Sequence, residues 1–373
     1  MQYRSFGKTG LRVSALGFGA MRFPCRTDGR VDDTAAVGML RSAIDQGLSY
    51  VDTAYFYHDG HSEEVVGKAL KDGYRDKTYV ATKSPLSLLK SADDFDRCLE
   101  KQLRRLEIET IDFYLLHAVN RDYWRNIVLK FGLLEKMERA RQAGKIRHIG
   151  FSFHDDWPTF RDVIDGYGGW EFCQIQLNYV DTDHQAGLQG LEYAASKGLG
   201  VVVMEPLLGG KLAAPPAAVA ACLPPCRTPV EAALDFLWDR PEVSLILSGM
   251  STPQQVDDNL AYADRSAPGM LTPEDRRRYP EAKRVYETMA LVPCTGCSYC
   301  IPCPFGVQIP QVFEAYNRTV ADADGARERY AMLEGRADLC RACGKCQRVC
   351  PQHILVSEQM KAAAAFFGER ASG

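Results

Sequence analysis

Residues 200–205 read Gly-Val-Val-Val-Met-Glu, a short run of almost uninterrupted apolar side chains. Such a run is typical of a parallel strand that is covered on both faces. Seven further runs of the same kind are spread along the first two thirds of the chain. We expect strands in all eight places, at residues 16–21, 50–54, 79–82, 111–117, 146–152, 172–178, 200–205 and 243–248.

Amphipathic stretches separate these runs. In one of them Val37, Leu40, Ile44 and Leu48 recur at spacings of three and four, as on a helix with one buried face. Eight strand–helix units over about 250 residues predict an α/β fold with a closed (β/α)₈ barrel, or TIM barrel. The alternative is a doubly wound dinucleotide-binding sheet. That fold requires a third glycine and an immediate helix, which the segment at 17–19 lacks.

Segments outside the eight units complete the predicted architecture. Residues 3–6 and 11–14 flank a Gly-Lys-Thr-Gly turn and predict an N-terminal β-hairpin that closes the bottom of the barrel. Pro268 and Gly269 mark the end of the strand–helix rhythm. The predicted domains are a barrel over 1–268, a linker helix over 269–292, a small cysteine-rich domain over 293–356 and a C-terminal tail over 357–373.

The composition narrows the class of protein. The 45 Lys and Arg side chains nearly balance the 48 Asp and Glu side chains, so the formal net charge of the 373-residue chain is −3. This balance predicts no nucleic-acid partner and no anionic-membrane partner. The first residues lack the apolar stretch of a signal peptide, and no apolar run is long enough to span a bilayer. We therefore expect a cytoplasmic protein.

Four titratable side chains stand at or just after the ends of the second, third and fourth predicted strands: Asp52, Tyr57, Lys83 and His117. Barrel enzymes carry their chemistry at these strand ends, so the four are expected to converge on one mouth. A nearby ammonium stabilises a phenolate and lowers the pKa of a tyrosine from about 10, which would make Tyr57 a usable general acid. Asp52 would hold Lys83 as its ion-pair partner, and His117 would orient a substrate oxygen. Taken singly, Asp52 or Lys83 is more often part of an ordinary barrel ion pair, and His117 is more often a core histidine with its hydrogen bonds satisfied. The four together, at the right strand ends, favour a catalytic set.

In order along the chain, these motifs resemble the catalytic tetrad of the aldo/keto reductase family. The matches are Asp-Thr-Ala-x-x-Tyr at 52–57, Thr-Lys at 82–83 and the strand-final His117, with further matches at 150–152, 174–178 and 248–259. The resemblance covers about residues 1–264. It implies a barrel that binds NAD(P)H across its top and reduces an aldehyde or ketone, with Asp52, Tyr57, Lys83 and His117 as the catalytic set. A histidine rather than a glutamate at position 117 favours reduction of C=O over a conjugated C=C bond.

The same resemblance implies which residues bind the cofactor. Ser152 and Gln174 would hold the nicotinamide carboxamide, and Met204 stands where the family usually has an aromatic residue that stacks on the nicotinamide. The other candidates would lie near the pyrophosphate and adenosine phosphate: Gly209, Gly210, Lys211, Ser248, Gly249, Met250, Gln255, Asp258 and Asn259. Basic residues that usually clamp a 2′-phosphate are absent from 254–259, which leaves the choice between NADPH and NADH open.

Eight of the 13 cysteines fall in two motifs near the C-terminus. Residues 340–351 follow Cys-x₂-Cys-x₂-Cys-x₃-Cys-Pro, the run that binds [4Fe–4S] clusters in bacterial ferredoxins. Crossed ligation, as in two-cluster ferredoxins, would group Cys350 with the first motif and Cys303 with the second. A Cys₄ zinc site is the alternative, but it gives no reason for a third cysteine at the same spacing. The predicted ligands of two [4Fe–4S] clusters are Cys294, Cys297, Cys300, Cys303, Cys340, Cys343, Cys346 and Cys350.

This cysteine module resembles the ferredoxin domain that is fused to a subset of aldo/keto reductases. The predicted fold is therefore a TIM barrel with an N-terminal β-hairpin and a small α-helical, ferredoxin-like iron–sulfur domain. The predicted function is NAD(P)H-dependent reduction of a small-molecule aldehyde or ketone to an alcohol, with Tyr57 as the general acid, by a protein that carries two [4Fe–4S] clusters. The alternatives are an iron–sulfur electron-transfer or redox-sensing protein whose barrel only binds nucleotide, and a reductase coupled to a ferredoxin-type electron partner.

Overall fold

The computed structural model describes residues 1–289, 291–320 and 322–368. Backbone contacts divide the chain into two compact units. The first contains Met1–Pro206 and Glu231–Thr272, and the second contains Leu207–Val230 and the residues from Pro273 onward. The segment Leu207–Val230 is thus grouped with the C-terminal region rather than with the strands that precede and follow it. The domain limits at 268, 292 and 356 stay predictions.

The first unit is a closed barrel of eight parallel strands, preceded by an antiparallel hairpin of β1 (Tyr3–Ser5) and β2 (Arg12–Ser14). Strand order around the barrel follows the chain, and the last strand pairs with the first to close it. The predicted barrel and hairpin are confirmed. The barrel strands are β3 (Leu16–Gly19), β4 (Tyr50–Asp52), β5 (Tyr79–Ser84), β6 (Ile111–Val119), β7 (Ile146–Phe153), β8 (Phe172–Gln176), β9 (Gly200–Met204) and β10 (Leu245–Ser248).

Helices alternate with the barrel strands. Helix α3 illustrates why they form: Ser91 and Asp94 make a capping box at its start, and Phe95 and Leu99 belong to its buried stripe. The helices up to residue 264 are α1 (Asp33–Asp45), α2 (His61–Ala69), α3 (Ala92–Leu106), α4 (Arg121–Tyr123), α5 (Leu133–Gln142), α6 (Trp157–Asp165), α7 (Gly187–Ser196), α8 (Ala217–Ala220, in the second unit), α9 (Pro229–Trp238) and α10 (Pro253–Asp264).

The hairpin closes the amino-terminal end of the barrel. Phe6 is fully buried, and its ring centroid lies 4.8 Å from that of Phe113 and 5.6 Å from that of Phe172. The next residue must be glycine, because Gly7 has φ +53° and a Cβ there would lie 2.3 Å from the backbone nitrogen of Gly200. The hairpin therefore leaves the carboxyl-terminal end of the barrel, where the strands finish, for the functional site.

The second unit is helical and contains α8, α11 (Pro273–Met289), α12 (Ile309–Arg318), α13 (Ala323–Ala331), α14 (Lys345–Arg348) and α15 (Val356–Gly368). Its small core includes Val307, Ile309, Phe313, Ile354 and Met360, with several of the cysteines packed against it. Helix α11 occupies most of the predicted linker helix, and α15 most of the predicted tail. Position 290 of the former and positions 369–373 of the latter lie outside the described residues. Within the described chain, no helix combines the length and apolar content needed to cross a bilayer.

Candidate functional site

The structure brings the four predicted catalytic residues to the carboxyl ends of three adjacent strands. Asp52 is the last residue of β4, Lys83 lies near the end of β5, and His117 lies near the end of β6. Their side chains are buried. Tyr57 follows β4 in a short turn, Tyr57–Gly60, and is only 9% exposed. This is the end of a (β/α)₈ barrel at which enzymes of this fold place their active sites.

Lys83 is the centre of this group. Its Nζ donates hydrogen bonds to Asp52 Oδ1 at 2.6 Å and to the Thr53 carbonyl oxygen at 2.8 Å, and it lies 3.5 Å from the Tyr57 hydroxyl oxygen. Burial lowers the pKa of Lys83 and raises the pKa of Asp52, and in each case the attraction between the two charges opposes the effect. The ammonium is therefore held beside the phenol by a buried carboxylate.

The turn that carries Tyr57 has an unusual backbone. His58, Asp59 and Gly60 have φ values of +50°, +56° and +92°, so three successive residues adopt the left-handed conformation. The two non-glycine residues carry a cost of order 1 kcal/mol each. Arg105 lies against this turn, since a Cβ on Gly60 would meet its Nη2 at 2.3 Å, and its Nη1 donates to the Tyr55 carbonyl at 3.2 Å. The strained turn aims the Tyr57 hydroxyl back toward Lys83.

His117 faces the same space. Its ring centroid lies 6.2 Å from that of Tyr57, with an angle of 83° between the ring planes. Burial lowers the pKa of His117 well below its usual value, and the positive charge of Lys83 and the proximity of His154 act in the same direction. His117 is therefore a neutral imidazole at neutral pH, which can donate one hydrogen bond and accept another.

A second buried acid, which the sequence analysis did not identify as part of the site, lies behind Lys83. Glu63 is fully buried; it accepts hydrogen bonds from Thr82 Oγ1 at 2.7 Å and Gln102 Nε2 at 2.6 Å, and it forms an ion pair with Arg105 at 3.0 Å. Gln102 Nε2 also lies 3.1 Å from the Lys83 carbonyl oxygen. This network fixes the backbone of β5 at Lys83. In the sequence, Glu63 is one of two adjacent acidic residues in the first turn of α2, a position that by itself is typical of a helix start.

Three predicted nicotinamide contacts are brought together on neighbouring strands. Ser152 and Gln174 are register partners in β7 and β8. The Ser152 hydroxyl accepts a hydrogen bond from the Ala118 amide at 2.8 Å, and Gln174 Nε2 lies 3.4 Å from the Met204 sulfur. Gln174 Oε1 is buried without a hydrogen-bond partner among the described residues. An unpaired buried acceptor is costly, so this oxygen is suited to receive a donor from a ligand.

The predicted phosphate-binding residues after β10 are only partly assembled. Ser248 and Asn259 are buried, and Asn259 Nδ2 donates a hydrogen bond to Ser248 Oγ at 3.0 Å. Met250, two residues after Ser248, is also buried. Gln255 Oε1 accepts from the Ser251 amide at 2.8 Å, while Thr252 caps the start of α10. Asp258 instead accepts from Gln254 on the exposed face of the helix, at 2.8 Å.

Arg22 is a basic residue beside this loop, although it lies far from residues 254–259 in the sequence. It follows β3, and its side chain lies against Gly249: a Cβ there would be 2.7 Å from Arg22 Cγ. The Ser251 hydroxyl donates to the Arg22 carbonyl oxygen at 2.7 Å. Gly249 is therefore the residue that allows the arginine to lie on the loop.

Gly209, Gly210 and Lys211 belong to the second unit. The two glycines have φ values of +66° and +96°. A Cβ on Gly209 would meet the Thr295 carbonyl oxygen at 2.0 Å, so this turn packs directly on the first cysteine motif. The other predicted cofactor residues lie in the first unit, and the role predicted for these three stays a prediction.

Four cysteines line a single cavity in the second unit: Cys294, Cys297 and Cys300 from the first motif and Cys350 from the second. The rest of the lining includes the apolar side chains of Ile309, Phe313, Ile354 and Val356. Burial raises the pKa of Cys300 to about 12, and the three other thiols reinforce the shift. These are the four cysteines that the predicted crossed ligation assigns to one cluster.

The second motif has the same local backbone as the first. Gly296 and Ser298 flank Cys297 with positive φ, and Ala342 and Gly344 flank Cys343 in the same way. Burial raises the pKa of Cys346, and Cys340 and Cys343 are close enough to raise it further. Cys303 is partly buried and packs against the core of the unit. No group of three or more described His, Cys, Asp or Glu residues is arranged to hold a single metal ion.

Comparison with known proteins identifies the family. The model of the aldo/keto reductase family matches residues 15–216. The chain belongs to the aldo/keto reductase family. A second family model, described as a 4Fe-4S dicluster domain, matches residues 293–355. The chain is therefore an aldo/keto reductase barrel joined to an iron–sulfur domain, as the two resemblances predicted.

Similar proteins lead to the same assignment. L-galactose dehydrogenase from Arabidopsis thaliana is 30% identical over 294 residues, which cover 70% of this chain and 88% of the relative. Aldo-keto reductase YhdN from Bacillus subtilis is 34% identical over 174 residues, covering 44% of this chain and 51% of the relative. Among solved structures, aldo-keto reductase AKR11C1 from Bacillus halodurans has a TM-score of 0.63 at 26% identity, covering 76% of this chain and 96% of its own. The aldo/keto reductase is thus an oxidoreductase by family.

Proposed function

We propose that this aldo/keto reductase uses NAD(P)H to reduce the carbonyl group of a small aldehyde or ketone, with Tyr57 as the general acid. The observation that carries the proposal is the position of Lys83 Nζ, 2.6 Å from Asp52 Oδ1 and 3.5 Å from the Tyr57 hydroxyl. Tyr57 would give its phenolic proton to the carbonyl oxygen, and the ammonium would stabilise the phenolate left behind. Neutral His117 would donate a hydrogen bond that orients the same oxygen.

The residues present fit a nicotinamide. Its carboxamide carries an NH₂ donor, which would satisfy the buried, unpartnered Oε1 of Gln174. Ser152, the register partner of Gln174, offers a hydroxyl on the neighbouring strand. When bound, the reduced nicotinamide would supply the hydride that reaches the carbonyl carbon. In the reverse direction the same residues would remove the proton from an alcohol.

The adenosine end of the cofactor would lie at the loop after β10. Arg22, which lies against Gly249, is our candidate contact for a phosphate group, together with the amino-terminal end of α10. Ser248 and Asn259 would shape this loop through their buried hydrogen bond. An arginine at this point supports binding of either NADH or NADPH through the shared phosphates, and it supplies a positive charge for a 2′-phosphate.

The second unit fits two [4Fe–4S] clusters, which we propose as its resident groups. Four thiols share one apolar-lined cavity, and three more thiols stand close together on the second motif. The left-handed residues that flank Cys297 and Cys343 give both motifs turns of the kind that form anion-binding nests, whose backbone N–H groups would face an anionic cluster. We propose crossed ligation, with Cys303 completing the second set. Bound clusters would supply one-electron chemistry and require a reducing compartment, which supports the predicted cytoplasmic location.

Replacement of Tyr57 by phenylalanine tests the function. The variant removes only the hydroxyl, so we expect NAD(P)H oxidation with an aromatic aldehyde such as 4-nitrobenzaldehyde to be lost, while NAD(P)H binding, followed by tryptophan fluorescence, is retained. Tyr55→Phe is the matched control, because Tyr55 lies two residues away and makes ring contacts with Lys101 and Arg105 instead. Unchanged turnover in Tyr57→Phe, combined with loss of all redox activity in Cys343→Ala, would favour an electron-transfer protein and contradict the proposal.

A further inference from the structure

The two cysteine motifs differ in charge: the first lies in an uncharged segment, and the second is basic. No charged residue occurs from position 288 to position 313, which includes the whole first motif. The cavity formed by its three cysteines and Cys350 is lined largely by apolar side chains. The second motif instead carries Arg341, Lys345 and Arg348, and no acidic residue occurs from 339 to 357.

The second motif is also open to solvent. Arg341, Cys343, Lys345 and Arg348 are all exposed. Among the described residues none of the three cations forms an ion pair or a hydrogen bond through its side chain. Three cations that lack ion-pair partners among the described residues thus lie close in sequence to the exposed Cys343.

Apolar side chains stand among the cations. Leu339 is 37% exposed and Val349 is 44% exposed, at the two ends of the run. We call residues 339–349 the basic cysteine face. A mixture of exposed apolar groups and a single sign of charge is the composition of a transient docking surface, where charge steers the partner and apolar contacts hold it.

We infer that the basic cysteine face is the docking surface for an acidic one-electron carrier protein of the ferredoxin or flavodoxin type. This inference rests on the proposed iron–sulfur content of the second unit. In the exchange the carrier loses one electron and the cluster at the second motif gains it, passing from [4Fe–4S]²⁺ to [4Fe–4S]⁺, with no bond made or broken. Because Cys343 is exposed, a cluster bound through it would lie near the surface, whereas a cluster bound at the first motif would sit in a cavity lined largely by apolar side chains.

The charge of the face selects this partner over the other anionic surfaces. A nucleic acid would require a longer basic stripe than three side chains on one loop, on a chain whose net charge is −3. An anionic membrane would require a polybasic segment of four or more cations. A redox carrier needs only a small surface centred on the redox group, which is what the exposed Cys343 provides.

The test measures binding by the anaerobically reconstituted full chain, with a purified plant-type [2Fe–2S] ferredoxin as the probe. The variant is Arg341→Glu/Lys345→Glu/Arg348→Glu. Its control, Lys8→Glu/Arg104→Glu/Lys130→Glu, changes three exposed cations of the barrel unit and gives the same net charge, from −3 to −9. We expect the face variant to weaken ferredoxin binding at least about tenfold, since like charges then meet across the interface, and the control to change it little.

Two further readouts keep the outcome interpretable. Iron content and the electron paramagnetic resonance signal of the reduced clusters are measured first in all three proteins, because absence of clusters in the wild type would contradict the proposed function itself. Raising the salt from about 10 mM to about 150 mM should weaken wild-type binding, as the screening length falls from about 30 Å to about 8 Å. Any of three results would overturn the inference. The clusters form normally but the wild type does not bind ferredoxin, or both variants lose ferredoxin binding equally. The third is that the wild type binds a DNA duplex or phosphatidylserine vesicles more tightly than it binds ferredoxin.

Discussion

Replacement of Lys83 by methionine should separate the structural role of the buried pair from its catalytic role. The side chains of Lys83 and Asp52 are 1% and 3% exposed, and they are joined at 2.6 Å. Removal of one partner of such a pair leaves the other charge buried and unpaired, which costs about 3–5 kcal/mol. The Thr53 carbonyl also loses the hydrogen bond that Lys83 donates at 2.8 Å. We expect Lys83→Met to unfold the barrel at correspondingly lower denaturant and to lose turnover.

The double variant Lys83→Met/Asp52→Leu distinguishes pairing from general damage. Removal of both charges leaves no unpaired carboxylate, so its unfolding free energy should fall by about 1–3 kcal/mol, mainly the cost of the unpartnered Thr53 carbonyl. The double variant should therefore be more stable than Lys83→Met alone, although it lacks two native side chains. Its turnover should stay lost, because Tyr57 has no ammonium beside it.

The unfolding free energy of Lys83→Met should change with pH in a direction that can be checked. Burial raises the pKa of Asp52 in the folded chain, and without Lys83 no positive charge opposes this. The folded chain then binds a proton at Asp52 more tightly than the unfolded chain, so the contribution of Asp52 to the stability of Lys83→Met is fully present below about pH 4 and is lost as the pH rises through the folded pKa. Relative to the wild type, the deficit should be larger at pH 8 than at pH 5. The double variant should lack this trend.

Urea unfolding followed by tryptophan fluorescence measures these differences in the barrel alone. All four tryptophans lie in the first unit: Trp124, Trp157, Trp170 and Trp238. The signal therefore does not include unfolding of the iron–sulfur unit, which would break two-state behaviour. A loss below about 1 kcal/mol in Lys83→Met, or a double variant that loses the sum of both single variants, would refute the account of a buried, coupled pair.

Three other predictions follow from the same structure. His117→Gln should make the unfolding free energy of the barrel depend less on pH in acid. Because the pKa of His117 is depressed in the folded chain, the unfolded chain binds the extra proton, and each pH unit below about 6.5 costs the wild type up to about 1.4 kcal/mol. If unfolding midpoints of the variant fall with pH as steeply as those of the wild type, His117 is not a buried neutral imidazole. Gln174→Leu should raise the barrel's melting temperature by removing an unpartnered buried oxygen and should weaken NAD(P)H binding about tenfold in fluorescence titrations; tighter binding is incompatible with the proposed contact. Cys350→Ser should reduce the iron content from about eight to about four per chain, whereas the exposed Cys226→Ser should leave it unchanged, and full iron content in the first variant would exclude crossed ligation.

The barrel could be predicted because its signal is local and repeated. Each near-continuous apolar run marks a strand covered on both faces, and eight repeats admit few topologies. The candidate catalytic residues could be named because barrel sites lie at strand ends, so a position in sequence implies a position in space. Asp52, Lys83 and His117 stand at such ends.

Contacts between distant segments could not be read from the sequence. Glu63 lies on α2, Thr82 on β5 and Gln102 on α3, and no periodicity indicates that they share a hydrogen-bond network. Arg22 lies far in sequence from the loop after β10 on which it packs. The grouping of Gly209 with the cysteine unit likewise depends on a close backbone approach that only the folded chain reveals.

Hydride and proton transfer can be tested together in a single turnover. The measurement is the rate of NADPH oxidation by the fully reconstituted protein with an aromatic aldehyde, using cofactor with and without deuterium at the nicotinamide C4 position, in H₂O and in D₂O. If Tyr57 delivers its proton while hydride reaches the carbonyl carbon, both substitutions should slow the reaction, and the Tyr57→Phe variant should show no oxidation. Wild-type oxidation that responds to neither substitution, or a Tyr57→Phe variant that reacts at the wild-type rate, would contradict the account.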